Sequence, residues 1–214
     1  MTERLRKSVE VPEVVILRLP LYVRVLNKLD EDKVTVVSSN QLGKLLQMTP
    51  AQIRKDLSYF GRFGKQGRGY NIIFLLDELK HILGIDRGWK ACLVGVGRLG
   101  RAIVNYPGFT PEGFEIVSAF DLDESQEGSM IGSINVQSMN DLPDMIQKND
   151  IRIGIVAVPS SQAQKVIDSL IKHGISGILN YAPISPIVPK GITIRNIDPV
   201  LSLQSMTFYM TDLS

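Results

Sequence analysis

Cysteine is almost absent. Cys92 stands alone among 214 residues, flanked by apolar neighbours. That excludes an intramolecular disulfide and any cysteine-cluster metal site, and it reads as a buried strand position. No apolar run approaches the roughly 18 residues a membrane span requires. The opening Met1-Thr2-Glu3-Arg4 leads into mixed charge without the apolar stretch of a secretory signal, so a cytoplasmic protein is expected. Histidine is scarce too: His81 falls inside an amphipathic segment, and His173 precedes Gly174 at an expected helix end, where a cation suits the helix dipole. Both read as structural. No tyrosine is followed four residues later by lysine, which removes the short-chain dehydrogenase pair, and no third domain remains to shape a substrate. A nicotinamide enzyme needs a positioned substrate and usually a proton donor beside its cofactor; the sequence offers neither.

Net charge is only +2, but it is unevenly placed. Residues 1 to 87 carry 15 Lys and Arg against 10 Asp and Glu, whereas residues 88 to 214 carry 9 against 12. The pattern is that of a basic, anion-binding module joined to a mildly acidic one. In the basic part, Val15, Leu19, Tyr22, Val23, Leu26 and Leu29 recur at helical spacing and predict a first helix from about Pro12 to Leu29, with Pro20 an irregularity. Ser38-Ser39-Asn40-Gln41 fits the start of a short second helix. Thr49 as N-cap, Pro50 at the first helical position and Gln52 completing a capping box predict a third, running to about Phe60 and stopped by Gly61. Two short helices about a tight polar turn form a helix-turn-helix pattern, whose second helix usually reads DNA. Arg54 and Lys55 lie early in that helix. Asp56, inside the cluster, suggests a local ion pair. The following Gly61-Arg62-Phe63-Gly64-Lys65-Gln66-Gly67-Arg68-Gly69-Tyr70 suits a basic β-hairpin wing carrying Lys65 and Arg68. The plain alternative for these cations is a solvated charged surface. A further helix is expected over Ile72 to Leu83, closed by Gly84, before a linker at Asp86-Arg87-Gly88.

After Trp89 the texture changes to short Val/Ile/Leu runs alternating with helical patterns, which predicts a parallel α/β sheet. Strands are expected near 90–95, 115–121, 134–137, 152–158, 176–180 and 192–196, and helices near 98–105, 139–148 and 161–173. Ala91-Cys92-Leu93-Val94 runs into Gly95-Val96-Gly97-Arg98-Leu99-Gly100, a strand followed by G-x-G-x-x-G and a helix. Gly95 makes the tight turn, Gly97 lets backbone approach a pyrophosphate, and Gly100 allows close helix–strand packing. The next strand ends at Asp121, the expected place of a ribose-binding acid. A carboxylate there accepts from a ribose 2′-hydroxyl and repels a 2′-phosphate, and Asp121-Leu122-Asp123-Glu124-Ser125 contains no arginine, so NAD(H) is the expected cofactor. The last segment, Asp198 to about Met210, opens with Asp as N-cap and Pro199 at the first helical position. Its apolar residues (Val200, Leu201, Leu203, Met206, Phe208, Tyr209, Met210) are too widely spread for one buried face, and a neighbouring subunit is the expected cover.

Taken together these residues resemble the Rex family of redox-sensing transcriptional repressors over nearly the whole chain. The matching stretches are Arg18-Leu19-Pro20-Leu21-Tyr22, Gln52 to Gly61, Gly67 to Tyr70, Leu93 to Gly97, Phe120-Asp121, Val156 to Pro159, Gly177 to Pro183 and Ile197-Asp198. The resemblance implies a homodimer with an N-terminal winged helix-turn-helix domain (1–86), a Rossmann domain with a doubly wound parallel sheet (87–196), and a C-terminal helix exchanged between subunits (197–214). It implies repression, at two-fold symmetric operator DNA, of genes for NADH reoxidation and fermentation, relieved when NADH rises. The candidate cofactor residues are then Gly95, Val96, Gly97, Arg98, Leu99, Gly100, Asp121, Val158, Pro159 and Tyr106. The candidate DNA-binding residues are Ser39, Thr49, Gln52, Arg54, Lys55, Tyr59, Lys65 and Arg68. Arg24, Tyr106 and Asp198 are the candidate interdomain coupling set, against which stands a reading as three unrelated solvated or capping groups. Three departures from the family pattern exist: Tyr181 where Phe is common, Pro199 where Leu is common, and Arg98 where Asn is common. No catalytic or metal-ligating residue is expected. The alternative function is a small NAD-dependent oxidoreductase with an accessory basic domain.

Overall fold

The computed structural model describes residues 11–65 and 68–211, with Lys65 described by its backbone alone. The chain divides into two compact units, Met1–Arg87 and Gly88–Ser214. The first contains α1 (Glu13–Glu31), β1 (Val36–Val37), α2 (Ser39–Leu46), α3 (Pro50–Ser58), β2 (Gly64–Lys65), β3 (Gly69–Asn71) and α4 (Ile72–Leu83). α1 buries Val15, Leu19, Tyr22, Val23 and Leu26, the stripe set by its 3.6-residue period, and continues without interruption through Pro20. α4 starts where the Asn71 side chain accepts from Phe74 N and ends at Gly84, whose φ of +69° is a left-handed cap natural to glycine. The stripes of α1 and α4 close with Leu42, Ile53 and Leu57 into one core.

β2 and β3 pair antiparallel as the expected wing, and β1 adds to β3 on the other side. The sequence reading contains no β1, because two residues cannot display a period of two. Gln66 and Gly67, at the tip of the expected hairpin, lie outside the described residues.

The second unit contains β4 (Trp89–Val94), α5 (Arg98–Val104), β5 (Phe114–Asp121), β6 (Met130–Ile131), β7 (Ile134–Ser138), α6 (Leu142–Asn149), β8 (Ile153–Val156), α7 (Ser160–Lys172), β9 (Gly177–Asn180), β10 (Thr193–Asn196) and α8 (Pro199–Thr211). The sheet order is β10-β9-β8-β4-β5-β7-β6, parallel except for the edge strand β6. Leaving out β6, this is the doubly wound Rossmann order, and the chain reverses direction across the sheet between β4 and β8, where such folds bind ligands. Separate apolar clusters cover the sheet's faces. One gathers Val94, Phe120 and Val156 with α6 and α7; the other gathers Leu93, Ala119 and Ile155 with Ile103 of α5.

β8 stops at Val156, two residues earlier than expected: Ala157 N still donates to Val94 O at 2.9 Å, and the chain then turns through Pro159 into α7. Cys92 is fully buried in β4, where burial pushes its thiol up to about 12 and leaves it unreactive at neutral pH. Asp198 caps α8 by accepting from Val200 N at 2.9 Å. Beyond it the apolar residues of α8 face solvent in the single chain, Leu201 at 63%, Phe208 at 63% and Tyr209 at 71% exposure. Among the described residues no helix is long and apolar enough to cross a membrane.

Candidate dinucleotide site and nucleic-acid interface

The three glycines after β4 differ in what surrounds them. Gly95 has a φ of +99°, and a Cβ there would meet the Ala157 carbonyl oxygen at 2.5 Å, so the turn lies directly against the chain leaving β8. A Cβ on Gly100 would collide with the Gly95 carbonyl oxygen and approach Leu93 Cδ2 at 3.1 Å, which is the close helix–strand packing expected of it. A Cβ on Gly97 would meet nothing within 4 Å. The fold therefore does not require glycine at 97, and the position opens onto clear space.

That space is a cavity of about 630 Å³ at the C-terminal ends of β4, β5 and β8. Gly95, Val96, Gly97, Arg98, Asp121, Val158 and Pro159 of the expected set line it, joined by Arg101, Leu122, Asp123, Gln126, Ala157 and Gln162. Asp121 is held firmly. Its Oδ2 accepts from Val96 N at 2.7 Å and its Oδ1 from Asp123 N at 2.9 Å, and each oxygen keeps capacity to accept a further bond. Asp123 is held below the usual carboxylate range by Ser125, which it caps.

Leu99, Gly100 and Tyr106 do not line the cavity. Leu99 points partly to solvent, and Gly100 acts through packing. Tyr106 is 59% exposed, edge-on to Phe109 with ring centroids 5.3 Å apart, and covers Gly108, where a Cβ would strike the phenol.

Arg101 was missed. It reaches the cavity from α5 and donates Nη2 to Gln126 Oε1 at 3.1 Å, so the arginine lacking in the loop after Asp121 comes from the facing helix instead. Its signal was present three residues beyond Arg98, the spacing that keeps two side chains on one helix face. Among the described residues no group of three or more His, Cys, Asp or Glu is placed to hold a metal ion.

In the first unit, α2 and α3 form the helix-turn-helix. Ser38 and Gln41 make a reciprocal capping box on α2. On α3 the Thr49 side chain accepts from Gln52 N at 3.1 Å, but the expected return bond from Gln52 is not made. Gln52 Nε2 donates to Asp56 Oδ1 at 2.7 Å, because a buried carboxylate one turn on attracts the amide more strongly than an exposed backbone group. Nor is Asp56 in a local ion pair. It is fully buried and bound by Arg18 of α1, with Tyr22 OH at 2.9 Å completing the set. Burial raises the Asp56 carboxyl, but the bonds from Arg18, Gln52 and Tyr22 outweigh it and hold the group below the usual range. Burial and the neighbouring carboxylate push the Tyr22 phenol well up.

Arg54 and Lys55 are exposed on α3, and Arg54 Nη1 donates to Ser39 Oγ at 3.0 Å, joining the middle of α3 to the start of α2. Tyr59 is half-buried just past α3, and Arg68 is exposed at the wing. The side chain of Lys65 lies outside the described residues. Arg62, exposed between α3 and β2, adds a cation that the candidate set omitted.

A basic helix-turn-helix with a wing, and a doubly wound domain with a cavity at its Gly-rich turn, together define a two-module DNA-binding regulator with a dinucleotide-type sensor. Residues 10–58 match the family model described as putative DNA-binding protein N-terminus, and residues 86–184 match the CoA binding domain. The redox-sensing transcriptional repressor Rex of Chloroflexus aurantiacus is 50% identical over 199 residues, covering 93% of this chain and 94% of that protein. The Rex of Chloroflexus aggregans is 47% identical over 206 residues, 96% and 97% of the two chains. The crystal structure of RSP in complex with beta-NAD+ and operator DNA superposes with a TM-score of 0.90 at 36% identity, covering 96% of this chain and 94% of that one. RSP in complex with beta-NADH gives 0.84 at 34%, with 96% of each chain covered. The chain belongs to the Rex family of redox-sensing transcriptional repressors.

Proposed function

We propose that the chain is a cytoplasmic, homodimeric repressor that holds two-fold symmetric operator DNA when NADH is low and releases it when NADH fills the cavity at Gly97. The regulated genes are those of NADH reoxidation and fermentation. One observation carries the reading: a single chain joins a Gly97 position kept clear of protein atoms, beside the anchored Asp121, to a separate helix-turn-helix whose second helix exposes Arg54 and Lys55. The RSP structures with beta-NAD+ and operator DNA, and with beta-NADH, support both ligands. The exposed apolar α8 supports a second copy as its cover, so the natural division is a DNA-binding domain over 1–86, a cofactor domain over 87–196 and an exchanged segment over 197–214.

Within this reading Gly95 to Arg98 cradle the pyrophosphate, Asp121 takes the adenosine ribose, and Val158 and Pro159 line the cavity where the chain leaves β8. Arg54, Lys55, Lys65 and Arg68 contact DNA, with Ser39, Thr49, Gln52 and Tyr59 beside them. Leu99 and Gly100 support the cradle rather than touch the ligand. Arg24, Tyr106 and Asp198 couple the units: Asp198 pairs with Tyr106 or Arg24 according to whether reduced cofactor is bound. A ligand shifts such an equilibrium only by preferring one arrangement, so NADH favours the one in which paired recognition helices no longer match successive major grooves.

A gel-shift titration on a two-fold symmetric site, with and without NADH, tests the proposal; operator binding unaffected by NADH would reject it. The oxidoreductase alternative is disfavoured because, among the described residues, no His, Tyr, Lys or Cys lines the cavity. Recovery of NADH unchanged after incubation separates the two.

A further inference from the structure

The two helices of the helix-turn-helix each carry glutamine at the third helical position, and they use it differently. On α2 the Gln41 Oε1 accepts from Ser38 N at 2.8 Å, so the amide oxygen is taken up by the helix's own cap. On α3 the bond recorded for Gln52 runs from the other end of the amide, Nε2 to Asp56 Oδ1. The orientation is forced. Asp56 is fully buried, and each of its oxygens already receives a donor from Arg18, with Tyr22 OH as a further donor on Oδ2. An ionised carboxylate only accepts, so turning the amide over would set two acceptors face to face beside a buried charge. Among the described residues Gln52 Oε1 has no hydrogen-bond donor, and Gln52 is only partly buried, in the first turn of α3, where recognition helices meet base edges.

We propose that Asp56 fixes the Gln52 amide with its carbonyl oxygen outward, making Gln52 the reader of an exocyclic amino group, adenine N6 or cytosine N4, in the major groove. The inference rests on the DNA-binding reading above. Asp56 is a positioning residue and never touches the base. A free glutamine presents both amide ends and adapts by rotation; here one N–H is held by the protein, and the group offered is an acceptor.

The test begins with selection of duplexes from a randomised two-fold symmetric pool by the full chain without NADH, in parallel with Gln52→Ala and Asp56→Asn. One base position per half-site should lose its preference in Gln52→Ala, and the same position should lose it in Asp56→Asn, whose amide can accept or donate. At that position, replacing adenine by purine, or cytosine by 2-pyrimidinone, deletes the amine. The deletion should weaken wild-type binding on the order of tenfold and leave Gln52→Ala unaffected. Replacing a purine there by its 7-deaza analogue reports the opposite orientation: dependence on N7 without dependence on the amine overturns the assignment. So does a Gln52→Ala selection profile identical to wild type. The amine and N7 comparison reads amide orientation in the wild-type protein, so it decides the matter even if Asp56→Asn does not fold. Failure of the wild-type chain to select any duplex would instead reject the DNA-binding reading itself.

Discussion

The Arg18 guanidinium lies along both oxygens of the Asp56 carboxylate, Nε to Oδ2 at 2.6 Å and Nη2 to Oδ1 at 2.7 Å, across 38 residues of chain. It ties α3 to α1 by a charged bond at the rim of the first core. Removing one partner strands the other, which for buried pairs costs about 3–5 kcal/mol. Arg18 keeps 20% side-chain exposure and can partly hydrate, so Asp56→Ala should cost about 3 kcal/mol, the lower end. The carboxyl is held below its unfolded value of about 3.9. Its contribution is therefore full above that pH and is lost as pH falls through the lower, folded value. Urea melts followed by helical circular dichroism should show wild type losing this stability in acid and Asp56→Ala showing none of that loss. Equal acid sensitivity in both would remove Asp56 as the cause.

The glycines of the turn after β4 should separate by function. Gly97→Val leaves the fold intact, since nothing lies within 4 Å of its Cβ, yet fills the space where the proposed pyrophosphate cradle lies. NADH affinity should fall by at least about tenfold, equivalent to about 1.4 kcal/mol, while operator binding persists and no longer responds to NADH. Gly100→Ala drives its Cβ into the Gly95 carbonyl and should destabilise the second unit by about 1–3 kcal/mol or more. Trp89, the single tryptophan and a residue of β4, makes fluorescence the readout for that unit. An unfolded Gly97→Val or an undisturbed Gly100→Ala would reverse these roles.

What the sequence disclosed and what it hid follow from distance along the chain. The G-x-G-x-x-G turn, the Asp121 strand end, the Thr49 and Asp198 caps and the α4 boundaries are local signals, readable within a few residues. The partner of Asp56 is not local: nothing in Arg54-Lys55-Asp56 indicates Arg18, so local sequence predicts for Gln52 a cap bond that the buried carboxylate of Asp56 displaces. Arg101 escaped for a related reason. The loop after Asp121 holds no arginine in sequence, whereas the fold brings Arg101 of α5 to face that loop. β1 and β6, two residues each, carry no periodicity and exist only through their partners.

Arg101 bears on the cofactor preference of an Asp121→Asn variant. The substitution removes the charge that repels a 2′-phosphate while keeping an oxygen able to accept from Val96 N or Asp123 N, and Arg101 already lines the same cavity. NADPH affinity should rise on the order of tenfold, about one charge-assisted hydrogen bond, with NADH affinity reduced. Adding Arg101→Ala should abolish the NADPH gain. Fluorescence titration with both cofactors measures this; a gain that survives the loss of Arg101 would place the phosphate elsewhere.

The exposed face of α8 should be a subunit interface. Leu203 at 59% and Phe208 at 63% exposure are too much apolar surface for one short helix to leave in water. Leu203→Asp with Phe208→Asp should convert a dimer into monomer in sedimentation equilibrium, and operator affinity should fall because one half-site contact is lost. A double variant still dimeric at micromolar concentration would assign the interface to another surface.

The coupling set carries the last prediction. Asp198 stands at the root of α8 with one oxygen on Val200 N, Arg24 is exposed on α1, and Tyr106 is exposed after α5. If Asp198 exchanges between Tyr106 and Arg24 as cofactor binds, Arg24→Ala and Asp198→Asn should each retain NADH binding yet require more NADH to release operator. Asn at 198 keeps the capping oxygen, so the change removes charge without fraying α8. Because both variants break one pair, their effects on release should be non-additive, with an interaction energy of about 0.5–3 kcal/mol in a double-mutant cycle. Tyr106→Phe should shift release in the same direction with operator affinity unchanged in the absence of cofactor. Additive effects of Arg24→Ala and Asp198→Asn, or wild-type release in both, would detach these residues from the signal while leaving cofactor and DNA binding to stand on their own measurements.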